Sequence, residues 1–328
     1  MFCRASGGLF AGVSGEADLD MVAAGLDCFR QHACSIVVGL GGGSAMDTAK
    51  SIAGLATLDG DIYEYHAGRM PERPGMPFIA IPTTAGTGAE VTKNAVLINP
   101  RTQFKQSIRG EEWFARVAIV DPELTLTMSP KLTAITGSDA LCQAIEAYTS
   151  IAATAITDAL AEKAIKLIGQ NLLQAYEYGD DLAAREGMSL GNLLAGMAMS
   201  NARLGAVHGM AHPLGARYHI PHGLVCGILL PYTIDYNKTY AACKYASVAR
   251  LLGCDITGTS ALEVATRAVE IVRQLLGRIG IPEHLASFGV RQQDLQQIVD
   301  EALPSGSTRH NVRPLDGDDL SRILVSAL

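Results

Sequence analysis

Four of the chain's eight histidines, His208, His212, His219 and His222, fall within fifteen residues in the run GAVHGMAHPLGARYHIPHG. Such crowding calls for a metal or for proton chemistry, because imidazole is the commonest nitrogen ligand and the side chain that titrates near neutrality. His208 and His212 stand four apart, so on a helix they share one face. His222 follows Pro221 and can swing in from the next turn. Any one of them alone would read as an ordinary surface or core histidine. Three at these spacings do not, and His219 is left to the surface.

A second constellation lies upstream in TGSDALCQAIEAYTS, where Asp139, Gln143 and Glu146 recur at helical spacing beside apolar Leu141, Ala144 and Ile145. It offers oxygen ligands along one stripe. A carboxylate with imidazoles suits a hard or borderline divalent ion, Fe(II) or Zn(II), with one position open for a substrate oxygen. Asp139, His208 and His222 would supply that set. Taken alone, Asp139 would serve equally as a helix N-cap or first-turn acid after Thr136-Gly137-Ser138.

The stretch SIVVGLGGGSAMDTAK places an apolar strand, Ser35 to Leu40, before Gly41-Gly42-Gly43 and a helix opening at Ser44 and running towards Ala56. Glycines let backbone N–H groups approach an anion, and the helix N-terminus adds its positive dipole end, so a dinucleotide pyrophosphate is a natural guest. The match to G-x-G-x-x-G is imperfect, and tight strand-to-helix turns use glycine for geometry alone. A second loop, Pro82 to Glu90, follows the strand Phe78 to Ile81 with a run of hydroxyls and glycines. Both lie where open α/β sheets collect ligands, beyond the carboxyl ends of strands.

Together these segments resemble the iron-containing (group III) alcohol dehydrogenases of the dehydroquinate-synthase-like fold. The resemblance rests on GGGSAMDTAK (Gly41 to Lys50), IPTTAGTGAEVT (Ile81 to Thr92), the Lys105 segment, DPELT (Asp121 to Thr125), SDALCQAIEAY (Ser138 to Tyr148), HGMAHPLG with PHG (His208 to Gly223) and VRP (Val312 to Pro314). It implies an α/β dinucleotide-binding domain over residues 1–128 and an all-helical metal and substrate domain over 129–328. It also implies metal ligation by Asp139, His208 and His222, with Gln143 at the fourth ligand position and His212 beside the substrate and nicotinamide. Gly42, Gly43, Ser44, Asp47, Thr83, Thr84, Thr87 and Lys105 fall where the family contacts NAD or NADP. The implied reaction is hydride transfer between NAD(P)(H) and a small alcohol or aldehyde, with the ion as Lewis acid and His212 handling the proton. A glycerol-dehydrogenase-like polyol oxidoreductase and a truncated, non-catalytic assembly partner are the alternatives.

Two departures from the family pattern stand out. Most members carry a histidine where this chain has Gln143, whose amide oxygen is a poorer ligand for a transition metal. That position is then left open, as in the related zinc glycerol dehydrogenases, or is filled by water or by Cys142. The chain also begins almost at the strand that Leu9 to Val13 resembles, without the family's earlier strand, helix and strand. An incomplete wall for the adenosine half of a dinucleotide and an exposed sheet region are the expectations.

Composition bounds the rest. With 328 residues, 48% of them hydrophobic, and a net charge of −7, the chain can bury a large core, and its acidic balance argues against nucleic acid. Its longest apolar runs fall far short of the ~20 residues of a membrane span, and no signal-peptide pattern opens it. The seven cysteines, Cys3, Cys28, Cys34, Cys142, Cys226, Cys243 and Cys254, are scattered without a C-x-x-C pair and read as buried thiols in a reducing compartment. A cytoplasmic homodimer or higher homo-oligomer is expected. Arg217 could grip an acidic substrate, or serve as a rim arginine between subunits.

The elements that must position these residues alternate strand and helix as far as DPELT and are helical afterwards. An amphipathic helix is predicted over Leu19 to Gln31, strands near Pro77 and Val117 to Asp121, and an antiparallel ribbon within Val91 to Ile108 turning at Asn99-Pro100. Helices follow over Ser138 to Ser150, Ile156 to Tyr178, Leu182 to Arg203, His208 to Tyr218, His222 to Tyr236, Ser260 to Gly280, Gln292 to Ala302 and Asp318 to Ala327. Ser260 with Glu263 forms a capping box.

Overall fold

The computed structural model describes residues 7–102, 104–255 and 257–328, so Cys3 lies outside the described residues. The chain forms two compact units, one running to Thr83 and resuming over Ala89–Asp121, the other made of Thr84–Gly88 and Pro122–Leu328. The first is α/β and the second all helical, the order that the sequence predicts.

In the first unit, α1 (Leu19–Gln31) starts at Asp18, whose carboxylate accepts from the Met21 N–H at 2.7 Å. It buries Leu19, Val22, Leu26 and Phe29, the stripe that the sequence spacing marks out. The strand β1 (Val37–Gly41) leads into α2 (Gly43–Leu55), and the short helix α3 (Ile62–His66) precedes β2 (Phe78–Pro82). The antiparallel pair β3 (Asn94–Asn99) and β4 (Phe104–Arg109) sets Val96 opposite Ser107. The two-residue strand β5 (Val117–Ala118) completes a parallel sheet ordered β1-β2-β5, with Val37 opposite Phe78. One face of this sheet packs Phe78 and Ala80 against Met46, Ala49 and Ala53 of α2. On the other, Val38 and Leu40 are 53% and 61% exposed.

The ribbon begins three residues later than predicted because Ala89–Val91 forms a 3-10 turn. The cause is Lys50. Its fully buried ammonium donates to the carbonyls of Ala89 and Asn94, both at 2.8 Å, and to Thr92 Oγ1 at 2.9 Å, so the backbone curls around the amine before it extends.

The second unit contains α4 (Pro130–Thr149), α5 (Ala155–Glu177), α6 (Leu182–Ala202), α7 (Ala206–Tyr218), α8 (His222–Asn237), α9 (Ala242–Leu251), α10 (Ala261–Arg278), α11 (Leu295–Ala302) and α12 (Gly317–Ser326). One continuous apolar core joins Leu141 and Ile145 of α4 to Ile165, Ile168 and Leu172 of α5 and to Val225 and Leu229 of α8. The Ser260–Glu263 capping box is present. Helix α4 begins eight residues before its predicted start, with Ser129 capping Leu132 and Pro130 in the first turn. Gly137 therefore lies inside the helix, against Leu172, rather than ahead of it. The short helices α3 and α9 were not anticipated from the sequence.

Among the described residues no helix is long and apolar enough to cross a membrane. The six described cysteines are free thiols. Only Cys142 and Cys226 are buried, and Cys243 is exposed, which corrects the expectation of uniformly buried thiols.

Candidate metal centre

Three helices of the second unit bring the candidate ligands together. Asp139 stands well inside α4 and is buried, which removes the N-cap alternative. His208 enters from α7 and is buried, and His222 is the first residue of α8. Between them the chain reverses over His219, Ile220 and Pro221, with His219 in the left-handed region at φ 52° and ψ 33°. Gly223 makes the closure possible. A β-carbon there would collide with the Ile135 carbonyl and stand 3.0 Å from Asp139 Cβ, so only glycine lets α8 seat this tightly on α4 and bring His222 to Asp139.

His208 Nε2 lies 3.3 Å from Asp139 Oδ1, and His222 Nε2 lies 3.9 Å from the same oxygen. Cys226 Sγ, one turn along α8 from His222, is 3.7 Å from His222 Nε2 and 3.9 Å from His208 Nε2. One donor atom from each of these four residues converges within 4.8 Å of the others. On the far edge of the His208 ring, Glu146 Oε2 meets Nδ1 at 2.6 Å and Cys142 Sγ approaches it at 3.8 Å. Glu146 is fixed in turn by the Val207 N–H, which donates to Oε1 at 2.7 Å.

The electrostatics favour a cation at this point. Burial alone would strip His208 of its proton, but Cys226, Asp139, and Glu146 outweigh it and lift its pKa well above the usual histidine range. Burial also pushes thiols up. At Cys226 the neighbouring Cys142 and the charge of His208 overcome this and hold its pKa below the ordinary value, whereas Cys142 is driven well above it. Asp139 Oδ1 is buried without a hydrogen bond, despite its short distance to His208. A buried carboxylate oxygen met by two imidazole nitrogens and, beside them, a thiol is a donor set that suits a divalent metal, so these residues fit one.

His212 is half-buried and stacks on His222, with ring centroids 5.2 Å apart and planes 24° from parallel. Gln143 is buried, its Nε2 donating to the Thr87 carbonyl at 3.5 Å while Oε1 accepts no hydrogen bond. His219 is exposed, as expected. Arg217 pairs with Glu301 of the same chain, so its charge is already met. Cys226 was missed in the sequence, although its place four residues after His222 repeats the His208–His212 spacing.

The predicted cofactor residues fall in both units. In the first, Gly41 adopts φ 148°, and a β-carbon there would stand 2.7 Å from Ala45 Cβ, so the strand turns directly into α2. Gly42 caps α2 without a side chain and leaves its first-turn N–H groups, at Gly43 and Ser44, open to an anion. Thr83 N–H donates to the Gly41 carbonyl at 2.8 Å and ties the two predicted loops together. Asp47 accepts from the Val96 N–H at 3.0 Å, and Lys105 pairs with Glu16 at 2.7 Å. Thr84 and Thr87 belong to the second unit.

Two family descriptions match the chain: "Iron-containing alcohol dehydrogenase" over residues 4–122 and "Fe-containing alcohol dehydrogenase family, C-terminal" over 133–328. The 1,3-propanediol dehydrogenase of Klebsiella pneumoniae is 42% identical over 319 residues, 97% of this chain and 82% of that protein. The NAD-dependent methanol dehydrogenase of Bacillus methanolicus is 38% identical over 304 residues, 93% of this chain and 80% of that one. The crystal structure of a 1,3-propanediol oxidoreductase superposes with a TM-score of 0.94 at 42% identity, covering 97% of this chain and 84% of that chain. The chain belongs to the iron-containing alcohol dehydrogenase family, whose members share this two-part fold and move a hydride between a nicotinamide dinucleotide and an alcohol or aldehyde with a divalent metal.

Proposed function

We propose that Asp139, His208 and His222 hold the divalent metal, Fe(II) or Zn(II), of this alcohol dehydrogenase, with Gln143 one helical turn along from Asp139. The observation that carries this reading is the approach of both imidazole Nε2 atoms to one buried Asp139 oxygen that accepts no hydrogen bond. When bound, the ion supplies Lewis acidity toward a carbonyl or alcohol oxygen. With an ion bound, Glu146 would accept from the His208 Nδ1–H and so leave Nε2, which faces Asp139, free to ligate it. His212 takes up or releases the hydroxyl proton at a ring nitrogen, its plane fixed by stacking on His222.

For the dinucleotide, NAD or NADP, the amides of Gly42, Gly43 and Ser44 receive a phosphate. The hydroxyls of Thr83, Thr84 and Thr87 and the carboxylate of Asp47 serve phosphate and ribose, and Lys105 adds positive charge. In this reading the α/β unit is the dinucleotide-binding domain and the helical unit the metal and substrate domain. The substrate is a small alcohol or aldehyde, with 1,3-propanediol and its aldehyde first choices, given the relatives. We assign the protein to the cytoplasm as a homo-oligomer; light scattering of the purified chain would test the oligomeric state.

The deciding experiment measures bound metal together with NADH- and NADPH-dependent reduction of a panel of small aldehydes, with glycerol oxidation in parallel. Asp139→Ala, His208→Ala and His222→Ala are expected to lose both metal and activity. Retention of metal by all three variants refutes the assignment.

A further inference from the structure

Resting on the reading of Asp139, His208 and His222 as the metal centre, we propose that Cys226 Sγ is its fourth protein ligand. The result is a centre of one carboxylate, two imidazoles and one thiolate that selects Zn(II) over Fe(II).

The argument is the shape of the cluster. With metal–nitrogen bonds near 2.0–2.1 Å and metal–sulfur bonds near 2.3 Å, a tetrahedral site needs donors about 3.4 Å apart between nitrogen and oxygen and about 3.6 Å apart from sulfur to nitrogen. His208 Nε2 and Asp139 Oδ1 stand 3.3 Å apart, His222 Nε2 and Asp139 Oδ1 3.9 Å. Cys226 Sγ is 3.7 Å from His222 Nε2 and 3.9 Å from His208 Nε2. These four edges match a tetrahedron that needs only slight contraction around an ion, and the substrate oxygen would enter as a fifth donor, the expansion that catalytic zinc undergoes. A buried thiol in an apolar core would need no such pair of imidazoles, and its single proton can serve only one of them.

The rival donors are weaker or turned elsewhere. Gln143 is neutral and spends its Nε2 on the Thr87 carbonyl, and an amide oxygen binds transition metals less well than a thiolate. Cys142 lies 3.8 Å from His208 Nδ1, the nitrogen that Glu146 engages, and stands beside Cys226. A thiolate ligand shifts preference from iron toward zinc. On uptake the metal–sulfur bond replaces the S–H bond and the Cys226 proton leaves to solvent.

Cobalt(II) loaded into the full chain reads the ligand directly, through the near-ultraviolet thiolate-to-cobalt charge-transfer band. One equivalent is expected to bind with that band, and Cys226→Ser should abolish it and lower Zn(II) affinity by at least about 100-fold, beyond the usual effect of an outer-shell change. Cys142→Ser should keep it. Should Cys226→Ser fail to fold, X-ray absorption of the zinc-loaded native chain must find one sulfur at about 2.3 Å, and its absence overturns the proposal. A band that survives in Cys226→Ser also overturns it. One cobalt bound without the band, and lost in Asp139→Ala, overturns the thiolate ligand while leaving the metal centre standing. Failure to bind cobalt in any Asp139-dependent way overturns both.

Discussion

Glu146 Oε2 lies 2.6 Å from His208 Nδ1, both side chains buried, although 62 residues of chain separate them. A carboxylate behind a ligating imidazole fixes the ring's tautomer and raises its basicity. Here the second oxygen is used as well, accepting the Val207 N–H at 2.7 Å, so the carboxylate is clamped between the ring and the start of α7. Glu146→Gln is expected to weaken metal binding about 10- to 100-fold, as outer-shell substitutions do. Competition with a chelator measures this. An unchanged affinity would mean that Glu146 serves only to anchor α7.

His222 and His219 lie three residues apart and should behave oppositely. His222→Ala removes a ring that approaches Asp139, so metal content should collapse. His219→Ala should leave metal content unchanged, because the ring is exposed on the α7–α8 turn. His219→Gly should raise stability by up to about 1 kcal/mol, since glycine accepts the left-handed backbone at φ 52° without strain. Equal metal loss from both alanine variants would dismantle the proposed ligand set.

Much of this was legible in the sequence, and the failures have physical causes. Helix α1 was read to the residue because its amphipathic stripe is regular over its whole length. The start of α4 was misread because Gly137-Ser138 looks like a boundary, whereas the glycine is there to admit Leu172 of a helix still to come. Helix α9 has an alanine N-cap that makes no side-chain bond, so nothing local announced it. Spacing brought out Asp139, His208 and His222. The role of Glu146 depends on a pairing across 62 residues that no local pattern encodes. Cys226 was set aside with the scattered thiols because a lone cysteine on an apolar helix ordinarily belongs to the core.

Lys50 is a buried cation of the α/β unit. Its ammonium, 1% exposed, fills three acceptors, on the 3-10 turn, on Thr92 that follows it and on β3, with Asp47 Oδ1 at 3.8 Å. Lys50→Met fits the volume but strands those acceptors and leaves Asp47 without its cation. A loss of about 3–5 kcal/mol is expected by urea unfolding. A loss below about 1 kcal/mol would mean that water replaces the amine, as buried polar sites can allow when they have room.

Asp47 itself gives a pH signature. Burial pushes its carboxyl above the usual carboxylate range, and the opposing pull of Lys50, the Val96 N–H and Lys105 only partly offsets this. The unfolded chain titrates this group near about 3.9. The folded chain therefore holds the proton more tightly. Its contribution to stability is full below the unfolded value and is lost as pH rises through the raised folded value. Asp47→Asn keeps an oxygen for the Val96 N–H and cannot ionise, so subtracting its stability isolates the group from every other titration in the chain. Native minus variant stability, from urea midpoints between mildly acidic and neutral pH, is expected to fall as pH rises and then level off above the folded pKa. A flat difference would mean that Lys50 fully compensates the buried charge. A difference that grows with pH would reverse the assignment, making the ion pair with Lys50, rather than burial, the dominant influence on Asp47.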